Sequence, residues 1–283
     1  MSWSKLKTII LIILAATNLC LAAFVAHRAF LGQYAQVQAR ENAVAFLQEK
    51  GITVEEQIIP GDMELQPQTV VRDRTQEAAL AQQILGQEAA EVSLGGGIYR
   101  YETQRGSIQF HEDGTFQGQF ADGAFPLGEE SPEGYAVSFA RDMGYEPELL
   151  SVEAEAGTDG TETRVTLGQT WNGVPLFNQR MTLVFAQGQC TAIIQGRRLN
   201  GTPAADAGKT PISVPTALVS FYQGLAAMGD VCSRINQIQP GYTSSVSAGG
   251  GASAMLPVWW IDTDTGAYLL DTMTGELSRT ENL

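Results

Sequence analysis

Two histidines, three cysteines and a surplus of carboxylates are what this 283-residue chain offers for chemistry. His111 stands beside Glu112 and Asp113 at the end of a predicted strand, where a histidine reads as a solvated turn residue. His27 abuts the apolar start of the chain. No HExxH, no paired CxxC and no glycine-flanked serine nucleophile occurs. The run Gly95-Gly96-Gly97 lacks the Lys-Ser/Thr that a phosphate-cradling loop requires, and it leads into a predicted strand. Asp262-Thr263-Asp264-Thr265-Gly266 has the alternating aspartates that open some calcium loops. Thr272 stands where an EF-hand needs its bidentate glutamate, and strands flank the segment, so a hairpin turn is the better account. Glu129-Glu130, Glu153 and Glu155 read as solvated acidic surface. Trp171 and the pair Trp259-Trp260 could stack a sugar ring. Neighbouring residues of a strand face opposite ways, so one tryptophan of the pair is expected in the core and the other half-exposed. The expectation is a protein that is not an enzyme, with no catalytic residue, no cofactor and no metal.

The elements that would position anything else begin with residues 8–26, nineteen residues without a charge. At 1.5 Å per residue such a helix spans roughly the 30 Å hydrocarbon core of a bilayer. Lys5 and Lys7 precede it and His27 and Arg28 follow, which slightly favours a cytoplasmic N-terminus with the bulk of the chain outside. A cleaved signal peptide would have a shorter apolar region, about 7–15 residues, and small residues before the cut. Cutting after Ala26 or Ala23 instead leaves Phe24 or Leu21 three positions back. The sequence therefore predicts a single-pass membrane anchor, residues 1–33, with an extracytoplasmic bulk. Leu11, Leu14, Asn18, Leu21 and Val25 share one face of it at three- and four-residue spacing. An intramembrane asparagine can hydrogen-bond a second helix, contributing roughly 0.6–2 kcal/mol, so this is the candidate partner-binding face. A passive anchor that tolerates one asparagine accounts for the same pattern.

All 31 acidic residues follow the anchor, and the formal charge is −14. Such a surface repels nucleic acid and anionic head groups, and no nucleic-acid partner is expected. Cys20 lies in the apolar stretch, and whether Cys190 and Cys232 pair stays open.

Beyond the anchor the grammar is α+β, helices set on antiparallel strands. A first lobe, residues 34–128, has a helix over 34–48 stopped by Gly51 and a strand over 52–59. A helix capped by Asp73 with Leu80, Ile84 and Leu85 follows, and then strands turned at Asp113-Gly114. A second lobe, residues 129–283, holds two units of similar design. Ser131-Pro132 and Ser213-Val214-Pro215 each open a helix, closed by Gly144 and Gly229. Strands come after, turned at Asn172-Gly173, Gln187-Gly188, Asp264-Thr265-Gly266 and Thr274-Gly275. The Ser-, Gly- and Ala-rich residues 243–254 read as an exposed loop.

Several stretches resemble the YycI family of regulatory membrane proteins of Gram-positive bacteria. They are Met1-Ser2-Trp3-Ser4-Lys5-Leu6-Lys7-Thr8-Ile9 with Asn18-Leu19, then Phe46-Leu47, Lys50-Gly51-Ile52 and Val54 up to Ile59-Pro60. Gly173-Val174-Pro175-Leu176-Phe177, Pro257-Val258-Trp259-Trp260-Ile261, Asp271 and Thr274-Gly275-Glu276 are similar to later strands of the family and, more loosely, to PepSY-type modules. The resemblance implies a non-enzymatic, membrane-anchored regulator. Its partners would be a WalK (YycG)-like sensor histidine kinase of cell-wall homeostasis and a YycH-like protein, met through transmembrane helices. Homo- or hetero-dimerisation stays open. The other reading is a PepSY-type binding or inhibitory module acting outside the cell on a secreted protease or a cell-wall ligand.

Overall fold

The apolar N-terminal stretch and the polar helix after it form one rod. The computed structural model describes residues 3–157, 160–199, 201–206, 208, 210–246 and 252–280; side chains at 3–13, 15, 16, 25–34, 156, 157, 160, 246 and 252 lie outside that description. Helix α1 (Trp3–Glu49) runs unbroken for 47 residues, about 70 Å at the standard rise. It stops where Gly51 turns to φ +84° and the Ile52 amide bonds back to the Leu47 carbonyl at 2.9 Å.

Strand β1 (Thr53–Val54), a 3-10 turn (Glu56–Ile58) and strand β2 (Gln68–Val71) follow. The strand expected over residues 52–59 is thus only two residues long. Thr53 and Val54 find partners, and the chain then coils so that Ile59 reaches the core.

A capped helix with a four-stranded antiparallel meander then occurs three times. The first unit is α2 (Arg74–Leu85), β3 (Ala90–Gly95), β4 (Ile98–Thr103), β5 (Gly106–Phe110) and β6 (Thr115–Phe120). Asp73 caps its helix by accepting the Thr75 and Gln76 amides, and Leu80, Ile84 and Leu85 are buried. The second is α3 (Pro132–Asp142), β7 (Glu146–Gly157), β8 (Gly160–Trp171), β9 (Val174–Ala186) and β10 (Gln189–Arg197). Ser131 caps it with Pro132 in the first turn, and Asn172-Gly173 and Gln187-Gly188 turn its hairpins with positive φ. After β11 (Pro203–Ala205), the third unit is α4 (Val214–Met228), β12 (Arg234–Val246), β13 (Ala252–Thr263), β14 (Ala267–Asp271) and β15 (Leu277–Arg279).

Edge-to-edge pairing joins the units into one sheet. Strand β6 runs antiparallel to β10, β12 lies beside β9 with Tyr242 opposite Leu176, and β2 and β1 pair with β13 and β12. The architecture is α+β with a mostly antiparallel sheet. One core lies under α2 and α3, built on Phe110, Phe116, Met181, Leu183 and Ile193. A second joins α1 to α4 and the third meander through Leu47, Phe221, Ile235, Trp259 and Tyr268.

One further expectation needs correction. Residues 243–246 and 252–254 are strand rather than loop, paired from Thr243 opposite Leu256 to Val246 opposite Ser253. Ser244 is buried there because Asn178 and Gln179 bond to it, which offsets its poor strand propensity. Strands β3 and β7 add to the strands read from the sequence, and both alternate, Ala90, Val92 and Leu94 against Glu91 and Ser93, and Val152 and Ala154 against Glu153 and Glu155. Among the described residues, no helix is long and apolar enough to cross a membrane. Residues 8–13, 15, 16, 25 and 26 of the expected span are among those whose side chains lie outside the description.

Candidate functional site

Of the residues expected to form a partner-binding face, Leu14, Asn18 and Leu21 stand exposed on α1, Leu14 at 60% and Leu21 at 56%. Leu11 and Val25 lie on the same helix, with side chains outside those described, as is that of His27. Towards its other end the rod is clamped. Ala43 and Leu47 are buried against α4, and Phe46 meets the Tyr222 ring edge-on at 5.3 Å. Asp62 binds both helices, accepting Gln36 Nε2 at 3.1 Å and the Val214 amide at 3.2 Å. That second bond supplies the N-terminal cap of α4 that the Ser213 side chain, turned to Thr216, does not make. Arg40 donates to the carbonyls of Glu56 and Ile59. An open groove of about 550 Å³ lies beside this clamp, lined by Gln36, Val37, Arg40, Asp62 and Pro215.

The tryptophan pair divides as its strand position requires. Trp259 is buried in the core, while Trp260 is half-exposed and stacks on Phe177 with centroids 6.2 Å apart. Together they wall a slot of about 220 Å³ with Leu150, Gln169 and Gln179. This gap exists because β9 bulges: Gly168 faces Arg180 while the next residue, Gln169, faces Leu176. Trp171 instead packs edge-on against Tyr242 at 5.9 Å.

Asp262-Thr263-Asp264-Thr265-Gly266 is the β13–β14 hairpin, closed by the Thr263 amide on the Gly266 carbonyl at 3.0 Å. Its carboxylates hold protein groups: Asp264 accepts from the amides of Ser233 and Arg234, and Asp262 from Asn236. The hydrogen bond from the Ser233 hydroxyl leads the causes that hold the Asp264 carboxyl below its usual range. Glu129, Glu130, Glu153 and Glu155 are exposed, and Glu155 pairs with Arg164 at 3.1 Å. Cys190 and Cys232 are free thiols packed with separate cores. Burial pushes their pKa values up to about 12 and about 11, so neither is a ready nucleophile at neutral pH.

His111 does more than turn the chain. It lines an open cleft of about 470 Å³ together with Gln117, Asn178, Arg180, Gln195 and Arg197. Sequence reading missed the two arginines. The only signal was Gln-Gly-Arg at the end of a predicted strand, and nothing in one strand says what it pairs with.

No family model matches the sequence, and no curated protein matches it. Among solved structures the chain is similar to an uncharacterized protein from Eubacterium rectale. The two are 12% identical, with 82% of this chain and 92% of that one covered and a TM-score of 0.46.

Proposed function

We propose that this chain is a non-enzymatic regulator that holds its α+β body at the outer face of a membrane and acts on partner helices within it. The observation that carries this reading is α1. One continuous helix joins the uncharged stretch 8–26 to Ala43 and Leu47 in the core. A rod clamped to the body at one end transmits a tilt or rotation to the other, which a flexible linker would absorb. The pattern of exposure agrees. Leu19 and Leu21, about 200° apart around the helix, are both mostly exposed, and apolar side chains on opposite sides of a helix call for an apolar medium all round. Following the resemblance to YycI, the partner class is a WalK (YycG)-like sensor histidine kinase with a YycH-like protein. The face of Leu11, Leu14, Asn18, Leu21 and Val25 is the contact.

The test is output of the kinase's target promoter in cells lacking the chain. Residues 1–33 are expected to restore much of it, and Asn18→Leu to weaken that rescue. Rescue only by residues 34–283, exported behind a cleavable signal, would sink the reading. It would favour instead a PepSY-type binding module acting on an extracytoplasmic protease or wall ligand, for which the Trp260 slot is the specific observation.

A further inference from the structure

The basic cleft owes its chemistry to a fault in strand register. On β10, Ile193 pairs with Gly118 of β6, and the next pairs are Gly196 with Phe116 and Arg197 with Thr115. Gly118 and Phe116 are two residues apart while Ile193 and Gly196 are three, so β10 carries one extra residue. Gln195 takes the left-handed turn this needs, at φ +53° and without being glycine. In regular alternation Arg197 would share the core face of Ile193. The extra residue moves it to the opposite face, beside Gln117 and across from Arg180. Gly196 makes the shift feasible, since a Cβ there would sit 2.7 Å from the Phe116 ring. Bulges that re-aim a side chain are over-represented next to functional sites.

What the bulge delivers is a guanidinium with spare capacity. Arg197 Nε is buried without a hydrogen-bond partner, and the Arg197 Nη2 to Asp113 Oδ2 pair is long at 4.0 Å. Asp113 Oδ1 is engaged with the amide and hydroxyl of Thr115. Asn178 is fixed by two bonds to the Ser244 backbone, 2.7 and 2.8 Å, so this wall of the cleft is rigidly tied to the third unit. Burial lowers the pKa of the second guanidinium, Arg180, from the usual arginine range. An unsatisfied, buried N–H costs free energy that a bound acceptor would offset. Two arginines line this one cleft in a chain of formal charge −14, with Asp113 the carboxylate paired to Arg197.

We propose that this cleft binds an oxyanion, the phosphate or carboxylate group of an extracytoplasmic ligand, held by the Arg197 and Arg180 guanidinium forks. The planar fork presents Nε–H and Nη–H side by side to two oxygens of one anion, which an ammonium cannot do. Because the lining residues come from β6, β9 and β10, with Asn178 bonded to β12, the anion would stiffen the joints among all three units.

The experiment uses the full chain in nonionic detergent, titrated with inorganic phosphate and separately with succinate. Sodium chloride of equal ionic strength is the control. Arginine Nε–Hε resonances in a 1H–15N spectrum and calorimetric heats report binding. Saturable movement of the Arg197 Hε resonance beyond the chloride control is expected, with affinity at least tenfold weaker in Arg180→Gln and Arg197→Gln. Arg164→Gln, at an exposed ion pair, should leave it unchanged. Arg197→Lys keeps the charge but not the fork and should lose severalfold. Response to phosphate alone, to succinate alone or to both supports the site and identifies the acid group it prefers. No saturable response to either probe overturns the proposal, as does binding unaltered in both glutamine variants. If a variant melts early, the wild-type Arg197 resonance decides the matter by itself.

Discussion

Glu77 shows how much one residue's surroundings decide. It sits in the first turn of α2 at 1% exposure, and both of its oxygens take hydrogen bonds from Arg72, at 2.7 and 2.9 Å. Arg72 in turn donates to the Gly97 carbonyl at 2.7 Å. Removing one partner of such a pair strands a charge away from water, so Glu77→Ala should cost about 3–5 kcal/mol. Glu155 and Arg164 form a pair of similar length, but both side chains are over a third exposed, and Glu155→Ala should cost no more than about 1 kcal/mol. Urea unfolding of the two variants checks the contrast. Equal losses would mean that Arg72 relaxes to solvent. Neither role was visible in the chain, because the types are the same and only burial separates them.

Elements were legible where a local physical signal specifies them. Asp73, Ser131-Pro132 and the glycines after each helix mark helix ends, and Asn172-Gly173 and Asp113-Gly114 mark turns, because those residues satisfy orphan amides or accept positive φ. Strands β3 and β7 carry a weaker signal, alternation without buried residues or a turn that marks both ends. All six residues of β3 are exposed, and β7 is a sheet edge with glutamates among exposed Leu149, Leu150 and Val152. Their apolar residues do alternate, but neither row reaches the core, and the small or charged residues typical of an edge strand leave the pattern weak. The basic cleft was out of reach for a related reason, since a bulge and a pairing partner create it. The end of α1 belongs to the legible class, and its docking can be tested. Leu47 is fully buried among Ala43, Leu218 and Ile235, so Leu47→Ala should cost about 2–5 kcal/mol. Leu14→Ala, at a 60% exposed site, should leave the unfolding free energy of the α+β body unchanged. Loss of amide-exchange protection in α4 on Leu47→Ala would show that the two helices unfold as one piece; unchanged protection would separate them.

At the scale of the molecule, each of the three units is tied at a helix end by a carboxylate. Asp73 holds α2 and is lowered in pKa first by the Thr75 hydroxyl, while Glu133 at the start of α3 is lowered first by its own backbone amide. Asp230, just past α4, is lowered by Arg279 of β15, and Asp264 by Ser233 ahead of β12. All four have folded-state values below those of the unfolded chain, so between the two the unfolded chain binds more protons. Their contribution is therefore complete above the ordinary carboxylate range, near pH 4, and is lost as pH falls through the folded values. Self-repulsion of the acidic surface acts in the opposite direction, easing as carboxylates are neutralised. The two effects separate by mutation, because the repulsion is shared by every acid while each tie belongs to one. Melting temperature, followed by circular dichroism, should be flat from pH 7 to about 5 and fall steeply below about 4. Asp264→Asn should lower it at pH 7 and make the fall below pH 4 shallower. A parallel downward shift with an unchanged slope would place the acid sensitivity elsewhere. A rise in melting temperature on acidification would mean that relief of charge repulsion outweighs all four ties.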